Sequence, residues 1–157
     1  MLEHGGDEDE AIAALLHDAA EDCGGRPRLE EIRKKFRDRV ADIVAGCTDT
    51  FEEPKPPWRP RKEKYLEHLP RASKSVQLVG AADKLHNARS ILADYRVLGE
   101  ALWSRFNANR EETLWYYRAV IEALKARAPA GLVDELDRTI RQLEEEIRTR
   151  NGTRKEA

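Results

Sequence analysis

Four side chains able to hold a metal or move protons, His17, Asp18, Glu21 and Asp22, crowd into the stretch Ala14-Leu15-Leu16-His17-Asp18-Ala19-Ala20-Glu21-Asp22. On one continuous helix their spacing places them within an arc of about 140°. Ile12, Leu15, Leu16, Ala19 and Ala20 would then fill the other side as a core stripe. A second set lies far downstream, in Ala82-Asp83-Lys84-Leu85-His86-Asn87-Ala88-Arg89, where Asp83 and Asn87 are one helical turn apart. His17 and Asp18 offer an imidazole beside a carboxylate, a borderline-hard pair suited to Mn²⁺, Fe²⁺ or Zn²⁺. Asp83 follows Gly80-Ala81-Ala82 and precedes Leu85, so its setting is apolar and an ionised carboxylate there needs a compensating charge. A metal would supply it, and so would a buried salt bridge to Lys84 or Arg89.

The elements that must carry these groups follow from pattern and punctuation. Leu2-Glu3-His4-Gly5-Gly6 reads as a helix ending at a glycine cap. Asp7, with Glu10 three residues on, reads as a capping box that opens a helix reaching about Asp22 and stopping at Gly24-Gly25. Leu29, Ile32 and Phe36 recur at helical spacing, and Val40, Ile43 and Val44 begin a second short helix for which Asp38 is a candidate cap. The run 52–60 is rich in proline, a loop that no helix continues through, and a helix follows over about 61–69. From Ser73 the pattern Val76, Leu78, Val79, Ala82, Leu85, Ala88 and Leu92 predicts a long buried helix ending near Gly99. Val76-Gln77-Leu78-Val79 alone would suit a strand, but the continuing helical spacing decides against it.

A short element over 101–106 carries Trp103, and a helix over about 111–127 turns Leu114, Tyr117, Val120, Ile121 and Leu124 inward. The last helix begins near Gly131 and shows Leu132, Leu136, Ile140, Leu143 and Ile147. That narrow stripe suits packing on the bundle or on a second subunit, which would make the protein a homo-oligomer. The expected fold class is all-α, with 1–150 as a single domain and 151–157 as a frayed polar tail.

Composition narrows the function. The 157 residues are 40 % apolar and 37 % charged, enough for one domain with a real core under solvated helix faces. With 28 basic against 30 acidic residues the net charge is −2, which argues against a general nucleic-acid binder. Cys23 and Cys47 form no CxxC pair, and neither a secretory signal nor a long apolar run is present. The expectation is a reduced, cytoplasmic setting with no membrane partner.

ALLHDAAED together with AADKLHNAR closely resembles the two signature segments of the HD-domain hydrolases of the RelA/SpoT group, which include small stand-alone alarmone hydrolases. The resemblance extends through LEEIRKKF, VADIVAGCTD, RPRKEKYLEHL and LWSRFNANREETLWYYRAVIEAL, to about residue 127. It implies an HD-domain helical bundle and a metal-dependent 3′-pyrophosphohydrolase acting on guanosine 3′,5′-bis(diphosphate) and its relatives, with Mn²⁺ as the family's metal. Under the resemblance His17, Asp18 and Asp83 match metal ligands, Glu21 and Asp22 match the acidic pair credited with water activation, and Asn87 matches a residue beside the nucleotide.

Arg59, Arg61, Lys62 and Lys64, around the proline-rich loop, would face phosphates or form a solvated charge run. Lys84 and His86 flank the second motif as further candidates for substrate contact. Trp103, Trp115, Tyr116 and Tyr117 fit either core and rim positions or a base-stacking platform. The family also carries a histidine ligand upstream, in a motif with basic residues and a Pro-Tyr pair, on helices that this sequence is expected to lack. His4 falls where the family has no ligand. Hydrolysis of another nucleotide, or an inactive HD fold binding nucleotide or a partner, stand as alternatives.

Overall fold

The computed structural model describes residues 1–153, and among these it contains helices and connections but no strand. The capping box forms as its spacing predicts. Asp7 accepts from the Glu10 amide at 3.0 Å while Glu10 accepts from the Asp7 amide at 2.9 Å, starting α1 (Glu8–Leu16). The helix expected to run on to Asp22 instead breaks at His17-Asp18, and α2 (Ala19–Asp22) begins after it. The buried face also differs from the expected one. Ala13 and Ala20 are fully buried and Glu10 nearly so, whereas Leu15 is 86 % exposed. The inward line therefore runs through Glu10, Ala13 and His17, at i, i+3 and i+7, and puts the imidazole on the core side.

Helix α3 (Gly25–Cys47) carries Pro27 in its first turn and is interrupted at Arg37, whose φ of 75° lies in the left-handed region. That kink divides it into the two helices the pattern predicts, although Phe36 remains 36 % exposed rather than joining the core. Helix α4 (Trp58–His68) starts earlier than the expected 61. Pro60 sits in its first turn, where backbone N–H groups have no helical partner and a proline sacrifices nothing. Helix α5 (Lys74–Leu98) opens on Ser73, which accepts from the Val76 amide, and closes at Gly99 as predicted. Helix α6 (Arg110–Leu124) opens on an Asn109–Glu112 capping box, and α7 (Ala130–Thr153) is the last of the described elements. The tail expected over 151–157 lies outside the described residues from 154 onward.

Two apolar clusters share α5. Val76 and Val79 face Ala13, Ala20, Ile32, Val40 and Val44 of the first three helices. Leu78, Leu85, Ala88 and Leu92 face α4, α6 and α7. A helix covered on both sides is rigid, so it is a suitable carrier for Asp83 and Asn87. The α7 stripe packs inside this bundle: Leu132, Leu136, Ile140 and Leu143 are at most 1 % exposed. Each such side chain contributes about 1.5–3 kcal/mol by its burial. Helices α3 and α5 approach closely at Gly46, where an added Cβ would lie 2.5 Å from a Val76 methyl. No helix among the described residues is long and apolar enough to cross a membrane.

Candidate metal centre and adjoining cleft

The break after Leu16 coincides with a side-chain bond. His17 Nδ1 lies 2.8 Å from the Ala14 carbonyl, which can only accept, so Nδ1 carries the proton of that bond. The other ring nitrogen is thereby aimed away from the helix. Nε2 lies 3.1 Å from Asp18 Oδ2 and 3.0 Å from Asp83 Oδ1, yet it is buried and makes no well-directed hydrogen bond to either. Asp83 is 8 % exposed and also accepts from Asn87 Nδ2 at 2.8 Å and from Lys84 Nζ at 2.5 Å. The expected salt bridge of Asp83 to Lys84 thus forms, while Arg89 pairs with Glu135 instead. Asp18 first, and Asp83 with it, push the His17 ring up to about 10. Burial tends to raise Asp83, but His17 and Lys84 outweigh it and hold the carboxyl well below its usual range.

This donor set suits a divalent cation chemically. A histidine that gives its Nδ1 proton to a backbone carbonyl offers Nε2 to a metal once the cation displaces the second ring proton, the usual arrangement of a metal-bound imidazole. One oxygen of Asp18 and one of Asp83 lie about 3 Å from that nitrogen, so one imidazole and two carboxylates would together hold a divalent cation. Among the described residues no group of three or more His, Cys, Asp and Glu side chains stands as a closed metal cage; His17, Asp18 and Asp83 meet through His17.

Next to this group, α2 presents its acidic pair to cations from the loop and from α4. Lys55 Nζ lies 3.2 Å from Glu21 Oε1 and 2.8 Å from Asp22 Oδ1. Arg61 Nη1 lies 3.5 Å from Glu21 Oε1 and donates to both oxygens of Asp49, at 2.8 and 2.6 Å. Lys62 donates to Asp49 Oδ2 at 2.7 Å. Burial tends to raise Asp49, but Lys62 and Arg61 lower it further than burial lifts it. A polar cavity of about 210 Å³ brings Asp18, Glu21, Asp22, Asp49, Lys62, Asp83, Lys84 and Asn87 together. A larger cleft of about 660 Å³ shares Asp18, Asp22, Lys62, Asn87 and Tyr116 with it and continues to Trp58, Asp94, Arg105 and Asn107. Burial pushes the Cys47 thiol, at the wall of the smaller cavity, up to about 12, so it stays protonated.

The structure therefore brings together His17, Asp18, Glu21, Asp22, Asp83, Lys84, Asn87, Arg61 and Lys62. It leaves out the remaining basic candidates. Arg59 lies over the Trp115 ring and pairs with Glu63, and Lys64 borders a different cavity beside Phe51 and His68. His4 and His86 share a small cavity with Ala82, Leu85 and Leu132, away from the His17 group. Trp103 packs in the core against Tyr95, whereas Tyr116 and Tyr117 line the cleft. Sequence reasoning missed Asp49 and Lys55 as members of the site. The segment VAGCTD contains the first of them, but nothing local signals that a loop aspartate becomes 4 % exposed.

Comparison with known proteins agrees with this architecture. The family model of the HD domain matches residues 1–114. Over 136 residues the chain is 30 % identical to the guanosine-3′,5′-bis(diphosphate) 3′-pyrophosphohydrolase MESH1 of Drosophila melanogaster, covering 87 % of this chain and 69 % of that one. The crystal structure of lmo0812 from Listeria monocytogenes EGD-e superposes with a TM-score of 0.74 at 27 % identity, covering 90 % of this chain and 88 % of the other. With its paired HD and downstream aspartate on adjoining helices of an all-α bundle, the chain belongs to the HD domain family.

Proposed function

We propose that this protein is a metal-dependent hydrolase that removes the 3′-diphosphate of guanosine 3′,5′-bis(diphosphate)-type alarmones as pyrophosphate. The observation that carries the reading is the orphaned Nε2 of His17, set between two carboxylates, Asp18 and Asp83, that line a cavity also holding an acidic pair and two cations. The identity to MESH1 supplies the substrate class. His17, Asp18 and Asp83 would hold the metal, Mn²⁺ in this reading, which lowers the pKa of bound water and offsets diphosphate charge.

The chain's own groups divide the remaining work. Glu21 and Asp22 are the carboxylates within reach of the same cavity that can orient a water and accept its proton. Lys55 now bridges them, and its position on a loop lets it turn toward an arriving phosphate. Lys62, which lines both the polar cavity and the cleft, meets the diphosphate, with Arg61 beside it on the shared Asp49. Asn87 orients Asp83 through its amide and borders the nucleoside. The cleft, with Trp58, Tyr116 and Tyr117 on its walls, is large enough for the nucleoside and excludes water from one side of it. Under this reading the setting would be cytoplasmic and the biological context an alarmone-controlled stress response.

Incubation of purified protein with the alarmone and Mn²⁺, with pyrophosphate followed over time, tests the reading. Release of pyrophosphate that chelation abolishes is the expected result. One observation favours a second reading: Lys84 already neutralises Asp83, so the fold is electrostatically satisfied without a metal. A protein that binds the nucleotide but takes up no Mn²⁺ at millimolar concentration would support that non-catalytic alternative. Metal uptake with no pyrophosphate release would redirect the search to other phosphorylated nucleotides.

A further inference from the structure

Asp49 belongs to no motif that binds metal or activates water, yet it is the most enclosed carboxylate of the cavity, its side chain 4 % exposed. It stands in the connection between α3 and α4 and receives two neighbouring cations. Arg61 and Lys62 are consecutive on α4, so their side chains leave the helix about 100° apart. Both nevertheless turn to one carboxylate, Arg61 Nη1 at 2.6 Å and Lys62 Nζ at 2.7 Å from the same Oδ2. Arg61 is fixed a second time, Nε donating to the Pro56 carbonyl at 3.0 Å. The two are 11 % and 18 % exposed, whereas Arg59, two residues before Arg61, is 42 % exposed.

Such an arrangement is a poor device for stability alone. Desolvating three charged groups costs several kcal/mol per ion, and well-packed apolar residues would serve the fold as well. What the cluster does achieve is placement. Asp49 gathers Arg61 and Lys62 at one point, and Lys62 lies where the polar cavity meets the larger cleft. We infer that Asp49 is a positioning residue: it holds Arg61 and Lys62 as a preformed cradle for the diphosphate that is cleaved. The inference rests on the proposed hydrolase reading for its substrate, but the cradle itself is defined for any pyrophosphate group.

Electrostatics and positioning predict opposite signs. Removing a carboxylate beside two cations makes the site more positive, so if Asp49 acted only through its charge, Asp49→Asn would bind pyrophosphate more tightly. If it positions the cations, Asp49→Asn binds more weakly despite the added charge. Binding of inorganic pyrophosphate, measured by calorimetry on the full chain, needs no turnover and so is independent of whether the alarmone is the substrate. Failure of the hydrolase reading shows instead in the wild-type assay for pyrophosphate release.

We expect Asp49→Asn and Lys62→Met each to weaken pyrophosphate binding by about tenfold. The double variant should lose about ten- to thirtyfold rather than the hundredfold of independent sites, because Asp49 acts through Lys62. Unchanged or tighter binding by Asp49→Asn, or an additive double variant, overturns the inference. Should Asp49→Asn fail to fold, Asp49→Glu keeps the charge and displaces it by one methylene. Weakened binding by that variant supports positioning, and wild-type binding overturns it.

Discussion

Replacing Asp83 by alanine separates the two roles that one buried carboxylate plays. In the folded protein it faces His17 Nε2 at 3.0 Å and accepts from Lys84 and Asn87. Truncation leaves the Lys84 ammonium, 17 % exposed, without its partner, and leaves the Asn87 amide unpaired. Breaking a buried pair from one side costs about 3–5 kcal/mol. Set against a total stability of roughly 5–15 kcal/mol, that is a large fraction. For a chain of this size the melting midpoint should fall by roughly 10 °C.

Removing both charges is a different perturbation. The variant Asp83→Ala with Lys84→Met should return to within about 1–2 kcal/mol of wild type, since an apolar replacement of a buried pair is often neutral. Neither variant should take up Mn²⁺, because a ligand is missing from both. Urea denaturation gives the stabilities, and elemental analysis after dialysis against the metal gives the uptake. Stoichiometric Mn²⁺ in Asp83→Ala, at a stability cost below about 1 kcal/mol, would refute both halves of the reasoning. Loss of stability that Lys84→Met fails to recover would refute the charge-pair half alone.

Three more outcomes follow from the packing and charge described above. Leu15→Ser should change stability by no more than about 0.5 kcal/mol, since the side chain is 86 % exposed, whereas Ala13→Leu at a fully buried position should cost about 1–3 kcal/mol; thermal unfolding compares them. Gly46→Ala forces a Cβ to 2.5 Å from a Val76 methyl and should cost about 1–3 kcal/mol, much of it regained when Val76 is shortened to alanine in the same chain. Asp49 has its folded-state pKa lowered below 3.8, so its ionised form stabilises the fold above that value and the contribution is lost as pH falls through the folded-state value. The stability gap between wild type and Asp49→Asn, measured by denaturation, should therefore be full at pH 7 and narrow below about pH 4.

What was legible in the sequence was mainly what is local. The Asp7–Glu10 box, the helix from Ser73 to Gly99 and the apolar stripe from Leu132 to Ile147 each follow from residues within a few turns of one another. The break after Leu16 was not legible, because Ala and Leu on both sides favour a helix without interruption. His17 bonds back to Ala14 within its own turn, and its other ring nitrogen faces Asp83, on a helix far along the chain that no local pattern announces. Leu15 was assigned to the core for the same reason, since the expected stripe assumed that the chemical groups face away from it. The early start of α4 was hidden by reading Pro60 as a helix breaker rather than as a residue of the first turn. Asp49 was missed because a loop aspartate is ordinarily solvated, and only Arg61 and Lys62 arriving from the next helix enclose it.

The joint between α1 and α2 has a consequence for local cooperativity. A four-residue helix cannot sustain itself, because nucleation costs more than so few bonds return. Helix α2 persists through the burial of Ala20 against α3, the bond from the Asp22 amide to the Asp18 carbonyl, and the pull of Lys55 on its acidic end. Its opening free energy therefore lies well below that of α5, and its amides should exchange with solvent long before the bundle unfolds. A cation bridging His17, Asp18 and Asp83 would tie the start of this short segment to the most rigid helix of the protein. Slowed exchange confined to residues 18–23 on addition of Mn²⁺ would be the signature of that coupling, and it would make ordering of the acidic pair a step linked to metal arrival.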